Sequence, residues 1–187
     1  VGVRLEAYFF LGVLHCQEQD WETACEYLEE AHRIEPQHLD VLNDLGNARK
    51  HRQQFDLAYR HFEQALMINP NHKASLQNYG TLLLDQGLDN KAEQQFKHLL
   101  SLDPLHHDAR YNLALQAAKQ KNFAKVVTLL KPLKQGITYN SALLLGQALI
   151  QENCYKAALS PLKYALGHHP NLQEEIHFQL AIAYDQL

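Results

Sequence analysis

The sequence is poor in the residue types that would point to special chemistry or to cross-linked stability. It has three cysteines in 187 residues, Cys16, Cys25 and Cys154. Their number is odd, and their spacing fits neither a disulfide framework nor a zinc site, so all three are expected to be buried or half-buried thiols. Eight glycines are scattered and form no phosphate-binding loop. No run of 18 apolar residues occurs, so no direct membrane insertion is expected from this segment. Val1-Gly2-Val3 does not lead into a signal-peptide apolar region with a processing site. Neither sign of charge dominates. The formal net charge is -4, which gives no reason to expect nucleic acid or an anionic membrane as partner. What is present is ordinary for a folded chain, with 46% apolar and 20% charged residues.

The six prolines are not placed at random. Pro36, Pro70 and Pro104 are evenly spaced, and each closes a similar block: Ala31-His-Arg-Ile-Glu-Pro36, Ala65-Leu-Met-Ile-Asn-Pro70 and Leu99-Leu-Ser-Leu-Asp-Pro104. Pro170 closes a fourth such block, slightly less than two of these intervals after Pro104, so one intervening repeat is short by two. Other columns keep the phase. Leu-Gly or its equivalent stands at Leu11-Gly12, Leu45-Gly46, Tyr79-Gly80, Leu113-Ala114 and Leu145-Gly146. A small residue follows at Ala24, Ala58, Ala92 and Ala158, with Val126 in the short repeat, and a large apolar one four later at Leu28, Phe62, Phe96, Leu130 and Leu162. Internal repeats of this length signal stacked supersecondary units.

Each half of a repeat is about 14 residues with apolar residues at three- and four-residue intervals, the period of a helix with one buried face. The small column predicts close approach of paired helices, with the large column filling the space beside it. Proline just past the second helix ends it and starts the next turn. The predicted helices are 5–18, 21–34, 38–52, 55–68, 72–86, 89–102, 106–120, 123–132, 139–152, 155–168 and 174–186. No strand is expected. The repeats run 5–38, 39–72, 73–106, 107–138 and 139–172, with a partial sixth at 173–187, and are expected to make a single solenoid. The missing initial Met and the close at Ala181–Leu187 inside a helix lead to the expectation of a piece of a longer protein.

These columns resemble the tetratricopeptide repeat family from about residue 5 to the end. The resemblance implies an all-α fold, an α-solenoid of antiparallel helix pairs forming a right-handed superhelix. The first helices would line a concave groove in which members of the family hold peptides, tails or helices of partner proteins. The chain departs from the family in places. The usual first-helix tyrosine is replaced by His15, Arg49, Leu83, Ala117 and Leu149, and the third repeat has Leu88-Asp89 in place of an aromatic. The fourth repeat lacks the closing proline and carries Lys131-Pro-Leu-Lys-Gln-Gly136. Proline and glycine there predict a shortened helix and a local change in superhelix geometry near 130–139.

The register places a partner-facing set on the first helices: Asn43, Asp44 and Asn47, then Gln77, Asn78 and Thr81, then Tyr111 and Asn112, then Gln147. Amide side chains both donate and accept, so Asn78 and Asn112, one repeat apart with Asp44 before them, could pair with a peptide backbone without reading its sequence. This is similar to the asparagine ladder of some family members. The alternative is that these amides bond between adjacent first helices or face water. Tyr111 offers a large contact area at low ordering cost. The variant that grips the carboxylate tail of heat-shock chaperones is not matched. Asn47 and Asn78 fit its asparagines, but its cationic positions hold Asn43, Asp108 and Asn112, and Asp108 would repel the tail. Phe9, Phe10 and Val13 are apolar where later repeats are polar, either covered by a preceding helix or forming a docking patch. Leu180, Ile182 and Leu187 raise the same question at the other end, and uncapped terminal repeats can self-associate.

No catalytic constellation, cofactor site or metal site emerges. His15 and Cys16 are adjacent, which is no positioned base and nucleophile. His106-His107 and His168-His169 match no ligand spacing and are expected to be solvated boundary residues. Lys119, Lys121, Lys125, Lys131 and Lys134 make a local basic patch too short and too poor in aromatics for nucleic acid. The expected function is a non-catalytic scaffold or adaptor binding a protein or peptide segment. Alternatives are the substrate-recruiting repeats of a larger enzyme such as an O-linked glycosyltransferase, or an envelope or pilus-assembly factor. The compartment is open between cytoplasm and bacterial periplasm.

Overall fold

The computed structural model describes residues 2–133, 137–168 and 172–187. Among these there are eleven helices and no strand: α1 (Gly2–Gln17), α2 (Trp21–Ile34), α3 (Leu39–His51), α4 (Phe55–Ile68), α5 (Lys73–Asp85), α6 (Asp89–Leu102), α7 (His107–Lys119), α8 (Phe123–Leu130), α9 (Tyr139–Gln151), α10 (Tyr155–His168) and α11 (Gln173–Asp185). Every helix expected from the sequence is present. α1 begins at Gly2, earlier than the apolar period suggested, and α8 stops at Leu130, before Pro132. The chain forms two compact units, Val1–Leu102 with three helix pairs and Asp103–Leu187 with two pairs and α11.

The turn inside each pair is the same device. Gln19, Gln53 and Gly87 in the N-terminal unit, and Lys121 and Asn153 in the C-terminal unit, have φ between 57° and 70°. In each turn two backbone bonds close the helix end. For the second pair, Gln54 N donates to Arg49 O at 2.9 Å and Gln53 N to Lys50 O at 2.9 Å. This is a Schellman cap, in which a left-handed residue lets the chain satisfy the last carbonyls. Helix starts are also periodic. His38 Nδ1 accepts from Val41 N at 3.3 Å, and His106 Nδ1 accepts from Ala109 N at 3.4 Å. His72 Nδ1 lies 2.8 Å from Ser75 Oγ at the equivalent place, and Thr138 takes the role in the short repeat, accepting from Ser141 N at 3.3 Å. His106 is therefore a half-buried capping residue rather than a solvated one. The partner of His168 in its pair, His169, lies outside the described residues.

Packing within a pair is set by the glycine column. A Cβ placed on Gly12 would stand 2.6 Å from Leu28 Cγ, on Gly80 2.7 Å from Phe96 Cε1, and on Gly146 2.5 Å from Leu162 Cγ. Leu28, Phe96 and Leu162 are fully buried. The helices approach each other at these glycines, and the alanine column (Ala24, Ala58, Ala92, Ala158), also fully buried, supports the same interface. In the C-terminal unit Ala114 replaces the glycine opposite Leu130. Both join a core with Val126, Leu145, Leu162, Ile176 and Leu180.

The fourth repeat is irregular as expected from its proline. α8 has eight residues, against 14 in α2, α4, α6 and α10. Lys134-Gln135-Gly136 lie outside the described residues, and with them part of the expected change near 130–139. Arg110 on α7 supports the shortened helix, its Nε donating to Pro104 O at 2.6 Å and its Nη1 to Leu129 O at 2.7 Å. An open cleft of about 450 Å³ lies against Leu133, Ile137, Pro161 and Tyr164.

Candidate protein-binding site

In the N-terminal unit three of the expected groove residues, Asn43, Asp44 and Asn78, form one network across α3 and α5. Asn43 is its buried centre, 6% exposed. Its Nδ2 donates to Asp44 Oδ1 at 3.0 Å. Its Oδ1 accepts from Asn78 Nδ2 at 3.0 Å and from Ser75 Oγ at 3.4 Å. Its amide is spent between adjacent first helices, and it holds Asp44 and Asn78, both half-buried, in place at the surface. Asn47, one turn along α3, is half-buried as well. Thr81 donates its hydroxyl to Gln77 O at 2.9 Å within α5, and the Gln77 side-chain oxygen is buried without a hydrogen-bond partner among the described residues.

The charges around this network are uneven. Burial pushes the Asp44 carboxyl above its ordinary range. The Asn43 hydrogen bond opposes that, Asp40 adds repulsion, and His72 attraction. His72 Nε2 is itself 3.3 Å from Asp40 Oδ1. Burial lowers the Lys50 ammonium, with Asp85 opposing. Cys16 is pushed up to about 11 by burial, then by Asp44 and Cys25, so it is a packed thiol rather than a nucleophile. Residues 1–102 carry 15 carboxylates against 9 lysines and arginines.

The remaining expected residues belong to the C-terminal unit. Tyr111 is half-buried, its ring stacked on His107 at 6.4 Å between centroids. Burial raises its hydroxyl pKa, and Tyr139 raises it further. Asn112 is half-buried, and Gln147 donates to Glu175 Oε1 at 2.8 Å, linking α9 to α11. The second stitch in this unit is His107 Nε2 against Ser141 Oγ at 3.1 Å.

Several expectations change. Cys25 is buried and Cys16 half-buried, but Cys154 is exposed, because it sits in the α9–α10 turn outside either buried helix face. Phe9 packs on the core beside the His38 ring, while Phe10, on the next face of α1, is 67% exposed. Leu180 is buried on α11 and Ile182 packs on the same core, while Leu187 is exposed. The residues replacing the family tyrosine are put to use, Arg49 pairing with Glu29 and His15 stacking on Tyr27. Sequence reasoning missed Ser75 and His72 as members of the network. The recurrence of histidine at the same helix-start position of successive repeats, at His38, His72 and His106, was the available signal.

Paired helices repeated in this way, with polar side chains organised on the first helices, define a protein-interaction scaffold. The chain belongs to the tetratricopeptide repeat family, whose models match residues 5–38 and 50–118. Solved structures similar to it include the Pseudomonas aeruginosa pilF protein, at 22% identity and TM-score 0.82, covering 99% of this chain and 89% of that one. A tetratricopeptide repeat protein from Parabacteroides merdae is 19% identical at TM-score 0.74, covering 98% and 73%. MamA from Desulfovibrio magneticus is 19% identical at TM-score 0.71, covering 88% and 94%. At these identities the likeness carries the fold. No curated protein sequence matches the chain. No helix among the described residues is long and apolar enough to cross a membrane.

Proposed function

We propose that the first-helix face of each unit, taken by itself, holds an extended segment of another protein. Asp44, Asn47 and Asn78 make the contacts on the N-terminal unit, and Tyr111 and Asn112 those on the separate face of the C-terminal unit. The observation that carries this is the Asn43 network. A buried amide fixes Asp44 and Asn78 before any partner arrives, and pre-organised polar groups lose little entropy on binding. Asn47 and Asn78 each offer a donor and an acceptor to a passing peptide group. Tyr111 supplies contact area.

The test uses the full chain with a benzophenone amino acid installed at Thr81, beside the network, or at Arg60, exposed on α4. Each is photolysed with the proteins of a cell extract. Crosslinks from position 81 that disappear in the Asn47→Ala/Asn78→Ala variant, with none of the same species from position 60, are the expected result. Equal crosslinking from both positions, or crosslinking unaffected by the double substitution, would overturn the proposal.

A further inference from the structure

We infer that the N-terminal unit selects partner segments bearing a basic side chain, lysine or arginine, which seats against Asp44. This deepens the reading of the first-helix face as the binding surface and rests on it.

Asp44 is a half-buried carboxylate with no lysine or arginine ion pair among the described residues. Its one side-chain hydrogen bond comes from the neutral amide of Asn43 to Oδ1. The charged neighbours acting on it are Asp40, which repels it, and His72, which faces Asp40 at 3.3 Å. Arg49, the arginine nearest in sequence, is turned elsewhere and pairs with Glu29. Among the described residues no lysine or arginine makes an ion pair with Asp44. A carboxylate withdrawn from water is ordinarily matched by a cation or by several donors. Here one neutral amide holds it in a fixed orientation. Around it Asn47 and Asn78 present amides suited to a peptide backbone. An incoming ammonium or guanidinium supplies the missing charge and makes a charge-assisted bond to the carboxylate. An incoming carboxylate or phosphate meets Asp44 and Asp40 together and is repelled. The excess of carboxylates over residues 1–102 favours the same sign of partner at longer range.

The probe is a set of cysteine-free nine-residue peptide pools, acetylated and amidated. Each is random except for a central Arg, Lys, citrulline or Glu, and each is passed over the immobilised full chain. The Arg and Lys pools are expected to be retained about tenfold over the citrulline and Glu pools. Asp44→Asn should bring the four pools to within about twofold of one another. Asp56→Asn, an exposed charge removed from α4, should leave the preference intact. The inference fails if Asp44→Asn keeps the basic preference, if Asp56→Asn abolishes it equally, or if citrulline or Glu pools are retained as well as Arg. In those cases the groove reading still stands, provided Asn47→Ala/Asn78→Ala lowers retention of every pool. If the wild-type chain retains no pool, or the double variant retains all of them unchanged, the groove reading falls and the basic seat falls with it.

Discussion

A Cβ added to Gly46 on α3 would lie 2.8 Å from Cε1 of Phe62 on α4, and Phe62 is fully buried. The ring occupies the space that any other residue at position 46 would need. Gly46→Val is therefore expected to destabilise the chain by about 2–3 kcal/mol through overpacking. Phe62→Ala alone should cost about 3–5 kcal/mol by leaving a cavity. The double variant should lose clearly less than the two together, because each change accommodates the other. Urea unfolding followed by circular dichroism measures all three. Strict additivity would show that the two side-chain positions do not compete for one space.

Gly87 is the only glycine among the five left-handed turn residues, at φ 70°. Gly87→Val places a β-branched side chain in that conformation and should cost about 1–2 kcal/mol, although a Cβ there meets nothing within 4 Å. Gly87→Asn should cost less, since asparagine tolerates the left-handed region. Thermal unfolding of the two variants checks the order.

His61 on α4 faces His32 on α2, ring centroids 5.8 Å apart and edge to face, close to Arg49, which pairs with Glu29. Burial, then His32 and Arg49, pulls the His61 pKa down to about 4. Burial lowers that of His32 too. The unfolded chain binds its proton near the ordinary histidine value of about 6.5, so the folded state holds fewer protons between these pH values. Stability is complete above that range and is lost as pH falls through it toward 4. The loss is about 2 kcal/mol after allowance for the partial exposure of the ring. The urea midpoint of wild type should fall between pH 7 and pH 4.5 by clearly more than that of His61→Gln, and equal falls would show that His61 is not the group concerned.

Asn43→Ala removes a buried amide and strands the groups it satisfies. It should destabilise the N-terminal unit by about 1–3 kcal/mol and raise amide hydrogen exchange at the start of α5. It should also weaken retention of all peptide pools, because Asp44 and Asn78 are no longer held in place. Asn43→Ala binding as tightly as wild type would show that the network is structural only.

The helices were legible because each register position recurs. Trp21, Phe55, Phe123 and Tyr155 stand at one register position of their repeats, and each is the first residue of its helix. The glycine and large apolar columns marked the pair interface for the same reason. The candidate site was legible only in part. Asn43 and Asp44 are neighbours in sequence, both polar and both on the inner side of α3. Asn43 turns into the contact with α5 while Asp44 stays half-exposed. A turn of about 100° per residue separates their directions. Which of the two is buried depends on where the next first helix lies.

The sequence alone determined the number of helices, their pairing and the close approach at Gly12, Gly46, Gly80 and Gly146. Those follow from local periodicity and from side-chain size repeated from one unit to the next. Tertiary structure decided what the polar residues do. It turned Asn43 into an internal brace, joined it to Ser75 and Asn78 in the following repeat, gave Arg49 to Glu29, and left Asp44 without a lysine or arginine ion pair among the described residues. Hydrogen bonds and ion pairs are directional and short in range, so a residue's partner is set by what another repeat brings within about 3 Å, and a periodic pattern in one dimension does not contain that distance.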